Sequence, residues 1–261
     1  MSGKKKEKGV VLSQKMIAPD IYDMWISTSL AMEALPGQFV GVYPHDESKL
    51  LPRPISICEV DDKKKALRLV YRIAGEGTKE FASWQPGQEV YLLGVLGKGF
   101  PVKEAEGRKV VLMGGGIGIP PMLQLAKVLS QAGINVTIVS GYRDERLFLK
   151  EDLEQYGKLY IATEDGSIGV KGNVLTVMEK EQIKADVIMA CGPMPMLRAI
   201  KNYAQDNEIT AYISLEERMA CGVGACLGCV CKTTHKDAHS HVNNARICTD
   251  GPVFDAREVE I

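Results

Sequence analysis

The rhythm of hydrophobic and polar positions changes twice along this chain. Over the first hundred residues the apolar positions fall in short runs at 22–28, 38–43, 54–59, 66–73 and 89–95. These runs are rich in branched and aromatic side chains and are punctuated by Pro-Gly, Asp-Asp-Lys or lone Gly. Leu67, Leu69 and Tyr71 alternate with Arg68, Val70 and Arg72, the two-residue period of a strand with unlike faces. Many short strands so closely spaced predict an antiparallel barrel or sandwich, with one helix, at 78–84, among them. From about residue 108 the grammar becomes strand, turn, helix: strands at 109–113, 134–140, 159–163, 186–191 and 211–215, helices at 120–132 and 194–205. That alternation predicts a parallel sheet covered by helices, with 211–215 as its last strand. After Glu216 the periodicity stops and Gly, Cys, Asn and His dominate. The expected organisation is a β barrel over 1–102, a parallel-sheet α/β domain over 103–215 and a small C-terminal domain over 216–261. The last has no hydrophobic core of its own and needs another source of order, which a metal centre would supply.

Composition narrows the function. The 261 residues are 45% hydrophobic and 25% charged, and 32 Lys plus Arg against 33 Asp plus Glu leave a net charge of −1. No cationic excess is available for a polyphosphate backbone, so nucleic acid is not an expected partner. The best apolar stretch, residues 110–123, is broken by four Gly and two Pro, and only Val10, Val11 and Leu12 follow the first lysines. Neither a membrane span nor a secretory signal is expected, and the chain reads as cytoplasmic. Lys4, Lys5, Lys6 and Lys8 are expected to form a solvated, frayed terminus.

Cysteine usage is the most informative feature. Of seven cysteines, Cys58, Cys191, Cys221, Cys226, Cys229, Cys231 and Cys248, five fall in the last 41 residues. In a reducing compartment such a group points to a metal or cluster site rather than to disulfides. Cys221, Cys226 and Cys229 have the spacing C-x4-C-x2-C, with Cys248 nineteen residues further on, which is the plant-type [2Fe–2S] pattern. Gly222, Gly224, Ala225 and Gly228 are small enough to let the loop wrap a cluster. A four-cysteine zinc site is the competing chemistry, although its knuckles come in pairs and the second half here offers one thiol. Cys231 reads as a non-ligand. His235, His239 and His241 read as exposed loop residues, because four thiols already fill the site.

Two further constellations suggest nucleotide chemistry. Gly114-Gly115-Gly116-Ile117-Gly118-Ile119-Pro120-Pro121 lies between a strand and a helix, the context of a dinucleotide-binding turn. The strict G-x-G-x-x-G spacing is not met, and a turn rich in glycine for packing alone is the competing reading. Cys191-Gly192-Pro193 closes a neighbouring strand and would face the same crevice, where Cys191 either fills core space or packs on a nicotinamide ring and orients the hydride. In the first domain, Arg53-Pro54-Ile55-Ser56 offers a guanidinium suited to pyrophosphate and a hydroxyl suited to the edge of a flavin. Gly75-Glu76-Gly77-Thr78 opens the helix that follows the strand ending in Tyr71 and Arg72.

With R-P-I-S at 53–56, G-E-G-T at 75–78, the glycine turn and C-G-P at 191–193, residues 8–215 resemble the ferredoxin reductase family. The tail from Glu216 to Cys231, with Cys248 and D-G-P-V-F at 250–254, resembles one branch: the electron-transfer subunits of B-type, NAD-dependent dihydroorotate dehydrogenases. The resemblance implies FAD at Arg53, Pro54, Ile55, Ser56, Val70, Tyr71, Arg72, Gly77 and Thr78. It implies NAD at Gly114, Gly115, Gly116, Gly118, Gly192 and Pro193, with Cys191 and Ser56 as catalytic residues. It implies a [2Fe–2S] cluster on Cys221, Cys226, Cys229 and Cys248, and an FMN-containing catalytic partner in a heterotetramer of two plus two. The activity implied is transfer of electrons from that FMN through the cluster and FAD to NAD⁺ in pyrimidine biosynthesis. Subunits of NADPH:ferredoxin oxidoreductases and sulfide dehydrogenases share the layout, commonly with Asp for the first cluster cysteine, where this chain has Cys221. A zinc-bound interaction module on a degenerate reductase scaffold is the non-enzymatic alternative.

Overall fold

The computed structural model describes residues 5–236 and 241–261, so Lys4 and His239 lie outside the described residues. Six strands, β1 (Lys5–Ala18), β2 (Ile21–Ser27), β3 (Phe39–Tyr43), β4 (Arg53–Asp61), β5 (Ala66–Arg72) and β6 (Glu89–Leu96), close a barrel in the order β1-β2-β5-β4-β3-β6. All its pairings are antiparallel, and β6 returns to β1. Alternate residues of each strand point inward, so Met24, Ile26, Val40, Val42, Ile57, Leu67, Leu69 and Leu92 fill the interior. Helix α1 (Glu76–Phe81) follows β5, two residues earlier than the sequence pattern indicates, and drives Phe81 into that core.

The lysine run is the first correction. Lys5 to Val10 pair with Gly94 to Glu89 of β6, so the expected frayed terminus is a barrel strand. Backbone ladders need no apolar side chain. The ammonium groups are accommodated at the surface: Lys6 Nζ lies 4.2 Å and 4.9 Å from the Tyr43 and Tyr91 ring centroids, and Lys8 pairs with Glu89 at 2.7 Å.

The second unit contains β7 (Val110–Gly115), α2 (Pro120–Gln131), β8 (Val136–Tyr142), α3 (Lys150–Glu154), β9 (Lys158–Thr163), β10 (Val170–Lys171), α4 (Val174–Lys180), β11 (Val187–Cys191), α5 (Met194–Asp206) and β12 (Thr210–Ser214). Strand β7 is central and buried along its whole length, and it therefore reads as an unbroken apolar run. Val110 and Leu112 pack toward α2 on one face, while Val111 and Met113 pack toward α4 and α5 on the other. The chain runs outward from β7 through β8, β9 and β10, then returns to build β11 and β12 on the opposite side. That reversal makes a topological switch point between β7 and β11, and ligands of open α/β sheets bind outside the strand ends at such a point.

The last strand of the sheet is not the one at 211–215. Of the remaining strands, β13 (Val230–Lys232) and β14 (Asn244–Arg246) form a hairpin, while β15 (Val253–Asp255) adds to the sheet edge antiparallel to β12. The C-terminal segment also has more apolar anchorage than its composition suggests. Ile247, Cys248, Phe254, Ala256 and Val259 are buried in one cluster with Leu93 and Leu96 of the barrel and Ile213 of the sheet. Its order therefore does not depend on a metal alone.

The barrel is held on the sheet domain by a mostly buried ion network. Arg68 bonds Asp23 at 2.9 Å and Glu59 at 3.2 Å within the barrel, and Asp152 of α3 at 3.0 Å across the boundary. Lys127 of α2 meets Glu59 at 3.0 Å. Among the described residues no helix is long and apolar enough to cross a membrane.

Candidate functional site

Two adjoining cavities open at the boundary of barrel and sheet, and they share Arg72 and Ile117. The first, about 430 Å³, lies at the switch point. Gly115 and Gly116 reach it from the end of β7, Pro193 and Met196 from the start of α5, Asn173 from the start of α4, and Arg143, Asp144 and Arg146 from the loop after β8. Gly114, Gly118 and Gly192 do not line it and serve the packing around it. A Cβ on Gly114 would stand 2.8 Å from Cα of Ile119, and one on Gly118 would overlap the Cys191 carbonyl. Gly118→Ala is accordingly expected to cost about 1–3 kcal/mol as strand and helix are forced apart. A melting temperature lower by about 2–12 °C is the expected reading; an unchanged one would show that the turn can shift without cost.

Cys191 lies behind this wall. Its residue is 1% exposed and lines neither cavity. Burial pushes the thiol up to about 12, helped by the Glu216 carboxylate and opposed by a hydrogen bond with Ser214. Burial thus favours its neutral thiol form.

The second cavity, about 320 Å³, is a trough between β3, β4, β5 and the segment that follows β12. Arg53, Pro54, Ile55, Ser56, Val70, Tyr71, Arg72 and Thr78 line it, eight of the nine residues expected to hold a flavin. The ninth, Gly77, lies under Arg53: a Cβ there would stand 2.8 Å from the guanidinium carbon, so only glycine lets the cation lie across the start of α1. Thr78 Oγ1 accepts from the Ala74 and Gly75 amides at 2.9 and 3.2 Å, which fixes that corner. Tyr71 is held by Gln14 Nε2, donating to its hydroxyl at 2.5 Å, and lies edge-on to Phe81. Burial raises its pKa, so it presents a neutral phenol. The pattern of the sequence did not point to the opposite wall, where Ser214, Glu216, Glu217, Met219 and Pro252 stand. Glu216 is reachable through the open trough, yet desolvation pushes its carboxyl up while Arg72 pulls it down.

The trough leads to the cysteine loop, since Met219 is two residues from Cys221. The loop wraps inward because Gly222 and Gly224 take left-handed φ of 66° and 82°. Backbone amides then converge on sulfur: Val223 and Cys226 donate to Cys221 Sγ, and Gly228 donates to Cys226 Sγ, each at 3.4 Å. Desolvation opposes the ionisation of Cys221, but these amides outweigh it and lower the thiol to about 6. Cys226 is exposed, whereas Cys229 and Cys248 are 2% and 0% exposed, brought side by side by the bond from the Ile247 amide to the Cys229 carbonyl. Thr249 Oγ1, against Gly224, is a buried hydroxyl without a hydrogen-bond partner among the described residues. Amides and a hydroxyl turned on a thiol loop fit an inorganic sulfur cluster, which accepts hydrogen bonds at its sulfurs. Among the described residues no three His, Cys, Asp or Glu side chains surround one point as a single ion requires. A binuclear cluster takes its thiolates as two pairs. Cys231 pairs with Ala245 in the hairpin, its thiol pushed up to about 11 by burial, and His235 and His241 are exposed. In cluster-free chain, iodoacetamide at neutral pH is expected to label Cys226 and to spare Cys58 and Cys191, read by mass spectrometry. Early labelling of Cys191 would contradict the closed wall described above.

Comparison with known proteins agrees with this geometry. Residues 216–260 match the iron-sulfur cluster binding domain of dihydroorotate dehydrogenase B, and residues 112–202 match the oxidoreductase NAD-binding domain. A protein of Geobacillus sp. (strain WCH70), named dihydroorotate dehydrogenase B (NAD(+)), electron transfer subunit, is 43% identical over 259 residues, 98% of either chain. The chain belongs to this family of electron transfer subunits. A relative of the same name from Listeria innocua is 42% identical over 96% of this chain and 97% of its own. Among solved structures, an NADH-dependent reduced ferredoxin-NADP oxidoreductase superposes with a TM-score of 0.86 at 28% identity, covering 100% of this chain and 91% of that one. A ferredoxin NADP⁺ reductase from Neisseria gonorrhoeae shares the fold, with a TM-score of 0.66 at 18% identity over 77% of this chain and 91% of that one. Membership makes the chain an oxidoreductase subunit with FAD, NAD and a [2Fe–2S] cluster as its cofactors.

Proposed function

We propose that this chain is the NAD-linked half of a dihydroorotate dehydrogenase and that dihydroorotate oxidation requires an FMN-bearing catalytic subunit, two copies of each forming the assembly. The reading is supported above all by the sequence of sites along one path: nucleotide cavity, flavin trough and thiol loop, with Arg72 and Ile117 common to the first two. When bound, the groups supply complementary chemistry, since nicotinamide exchanges a hydride, a [2Fe–2S] cluster a single electron, and a flavin either.

The chain's own residues position and insulate these groups. Arg53 would neutralise the flavin pyrophosphate while Gly77 leaves room for it, and Thr78 fixes the corner. Ser56 and Tyr71 would meet the ring from the barrel side. Gly115, Gly116 and Pro193 would carry the NAD backbone, with Gly114, Gly118 and Gly192 letting strand and helix approach. Cys191, buried behind the turn, supports the nicotinamide floor as a neutral packing group in this reading. Cys221, Cys226, Cys229 and Cys248 would hold the cluster. The cytoplasm suits a chain with five of its seven cysteines gathered in the last 41 residues at a cluster-type spacing. The identity of 43% over nearly the whole chain, with Cys at position 221, favours this reading over a ferredoxin-NADP oxidoreductase subunit, where identity is 28%.

The test is reconstitution. The purified chain should reduce ferricyanide with NADH and form no orotate from dihydroorotate, and the catalytic subunit should restore orotate formation coupled to NAD⁺. Orotate produced by the chain alone would reject the division of labour.

A further inference from the structure

The end of the nucleotide cavity away from the flavin trough is bounded by the loop after β8, which carries charge of both signs. Arg143, Asp144 and Arg146 line it, with Glu164 from the neighbouring strand end. Gly141 of β8 stands beside Gly115 of β7, so Asp144 lies three residues past the level of the glycine turn on the adjacent strand. In a dinucleotide crevice this is where the adenosine ribose arrives once the pyrophosphate sits at the first turn. An acidic side chain there receives a 2′-hydroxyl, and an arginine there receives a 2′-phosphate.

The sequence sets Arg143 and Arg146 against Asp144 and Glu145 and leaves the matter open. The geometry pairs two of these groups with each other. Arg146 Nε donates to both oxygens of Asp144 at 2.8 and 2.9 Å, Nη2 closes onto Oδ2, and the Arg146 amide adds a bond of 3.0 Å to Oδ1. The guanidinium beside it holds the Asp144 carboxyl down at about 2, so the site keeps its negative charge. One of the two arginines that line this end is thus engaged, and the carboxylate that engages it lines the same cavity. Glu164 lines the same end, and Asp165 is close enough to Asp144 to feel its charge.

We propose that the Asp144–Arg146 pair makes this cavity select NAD(H) over NADP(H), by holding a carboxylate where the 2′-phosphate must sit and by occupying the guanidinium that would receive it. The proposal rests on the cavity being the dinucleotide site. The test measures ferricyanide reduction with NADH and with NADPH, and calorimetric binding of NAD⁺ and NADP⁺, on the FAD-loaded chain. Bound flavin in each variant reports that it is folded. Asp144→Ala and the nearly isosteric Asp144→Asn are each expected to raise kcat/KM for NADPH by roughly ten- to one-hundredfold, the span of a charge-assisted hydrogen bond gained. Both should lower kcat/KM for NADH. Adding Arg146→Ala to Asp144→Ala should erase most of the gain, because the freed guanidinium supplies it. An unchanged ratio of the two nucleotides, or a gain that survives Arg146→Ala intact, overturns the proposal while NADH turnover by the unaltered chain still upholds the site. A chain that binds and turns over neither nucleotide overturns both.

Discussion

Replacement of Cys226 by serine is expected to abolish the iron–sulfur absorption and the electron spin resonance of the reduced chain, while FAD stays bound. A serine hydroxyl does not ionise near neutral pH and is a poor replacement for a soft thiolate. Cys226 is exposed at the loop tip beside Leu227, which is 60% exposed, so little packing is lost. Among the described residues, the flavin trough touches the tail only through Glu216, Glu217, Met219 and Pro252 and through none of the cysteines. NADH-driven ferricyanide reduction should therefore stay within about twofold of the unaltered chain, while electron delivery to the catalytic subunit falls by at least about a hundredfold, the upper range seen even for disturbing a metal's supporting shell. Cys248→Ser should be harsher. Its site is 0% exposed, so a hydroxyl there takes a thiol's place inside the packed cluster that joins the tail to the barrel and the sheet, and stability should fall along with the lost metal. Loss of FAD in the Cys226 variant would mean that the cluster loop is a wall of the flavin site.

Arg53→Ala is expected to produce the opposite separation: a chain that keeps its iron and loses its flavin. Arg53 is the cation of the trough that lies across Gly77 at the start of α1. Two charge-assisted bonds to a pyrophosphate are worth about 1.5–3 kcal/mol each, so the affinity for FAD should fall by at least about two powers of ten. Ultrafiltration followed by flavin fluorescence of the filtrate measures it. NADH oxidation should fall with the flavin and return with added FAD. Gly77→Val should act in the same direction, because its side chain displaces the guanidinium. Retention of tightly bound flavin in both variants would require another group to neutralise the pyrophosphate.

The parts of the fold that were legible are those where burial dictates residue type. Strand β7 is apolar on both faces and α2 begins at Pro120, so both stand within two residues of their expected limits. The same holds for β3, β4, β5 and β6, whose inward faces alternate. Strand β1 was hidden because Lys5 to Lys8 face solvent and aromatic rings, and ladder hydrogen bonds leave no mark on composition. Helix α4 was hidden because its apolar stripe is short, although Asn173 capping the Leu175 and Thr176 amides is a readable start signal. β15 was hidden because three residues carry no period, and only the fold places them against β12.

At the site, short motifs picked out residues that line the barrel wall of one cavity and residues that form the thiol loop, because each motif is contiguous in sequence. The facing wall could not be located in this way. Glu216, Glu217, Met219 and Pro252 come from segments without a motif and are brought there by the tail folding back over the barrel. Likewise, the motif at 114–118 marked the turn between β7 and α2 but not which of its glycines line the cavity. Which glycine meets a ligand and which meets a neighbour depends on the Cys191 carbonyl and the Met196 side chain across the gap.

Reducing equivalents taken from NADH are expected to reach the tail. Anaerobic titration of the purified chain with NADH, followed by absorbance and by low-temperature electron spin resonance, tests this directly. The expected result is bleaching of the flavin together with the appearance of a reduced [2Fe–2S] signal, the signal being absent from the Cys226→Ser chain. Bleaching with no cluster signal in the unaltered chain, while dithionite still elicits that signal, would contradict it.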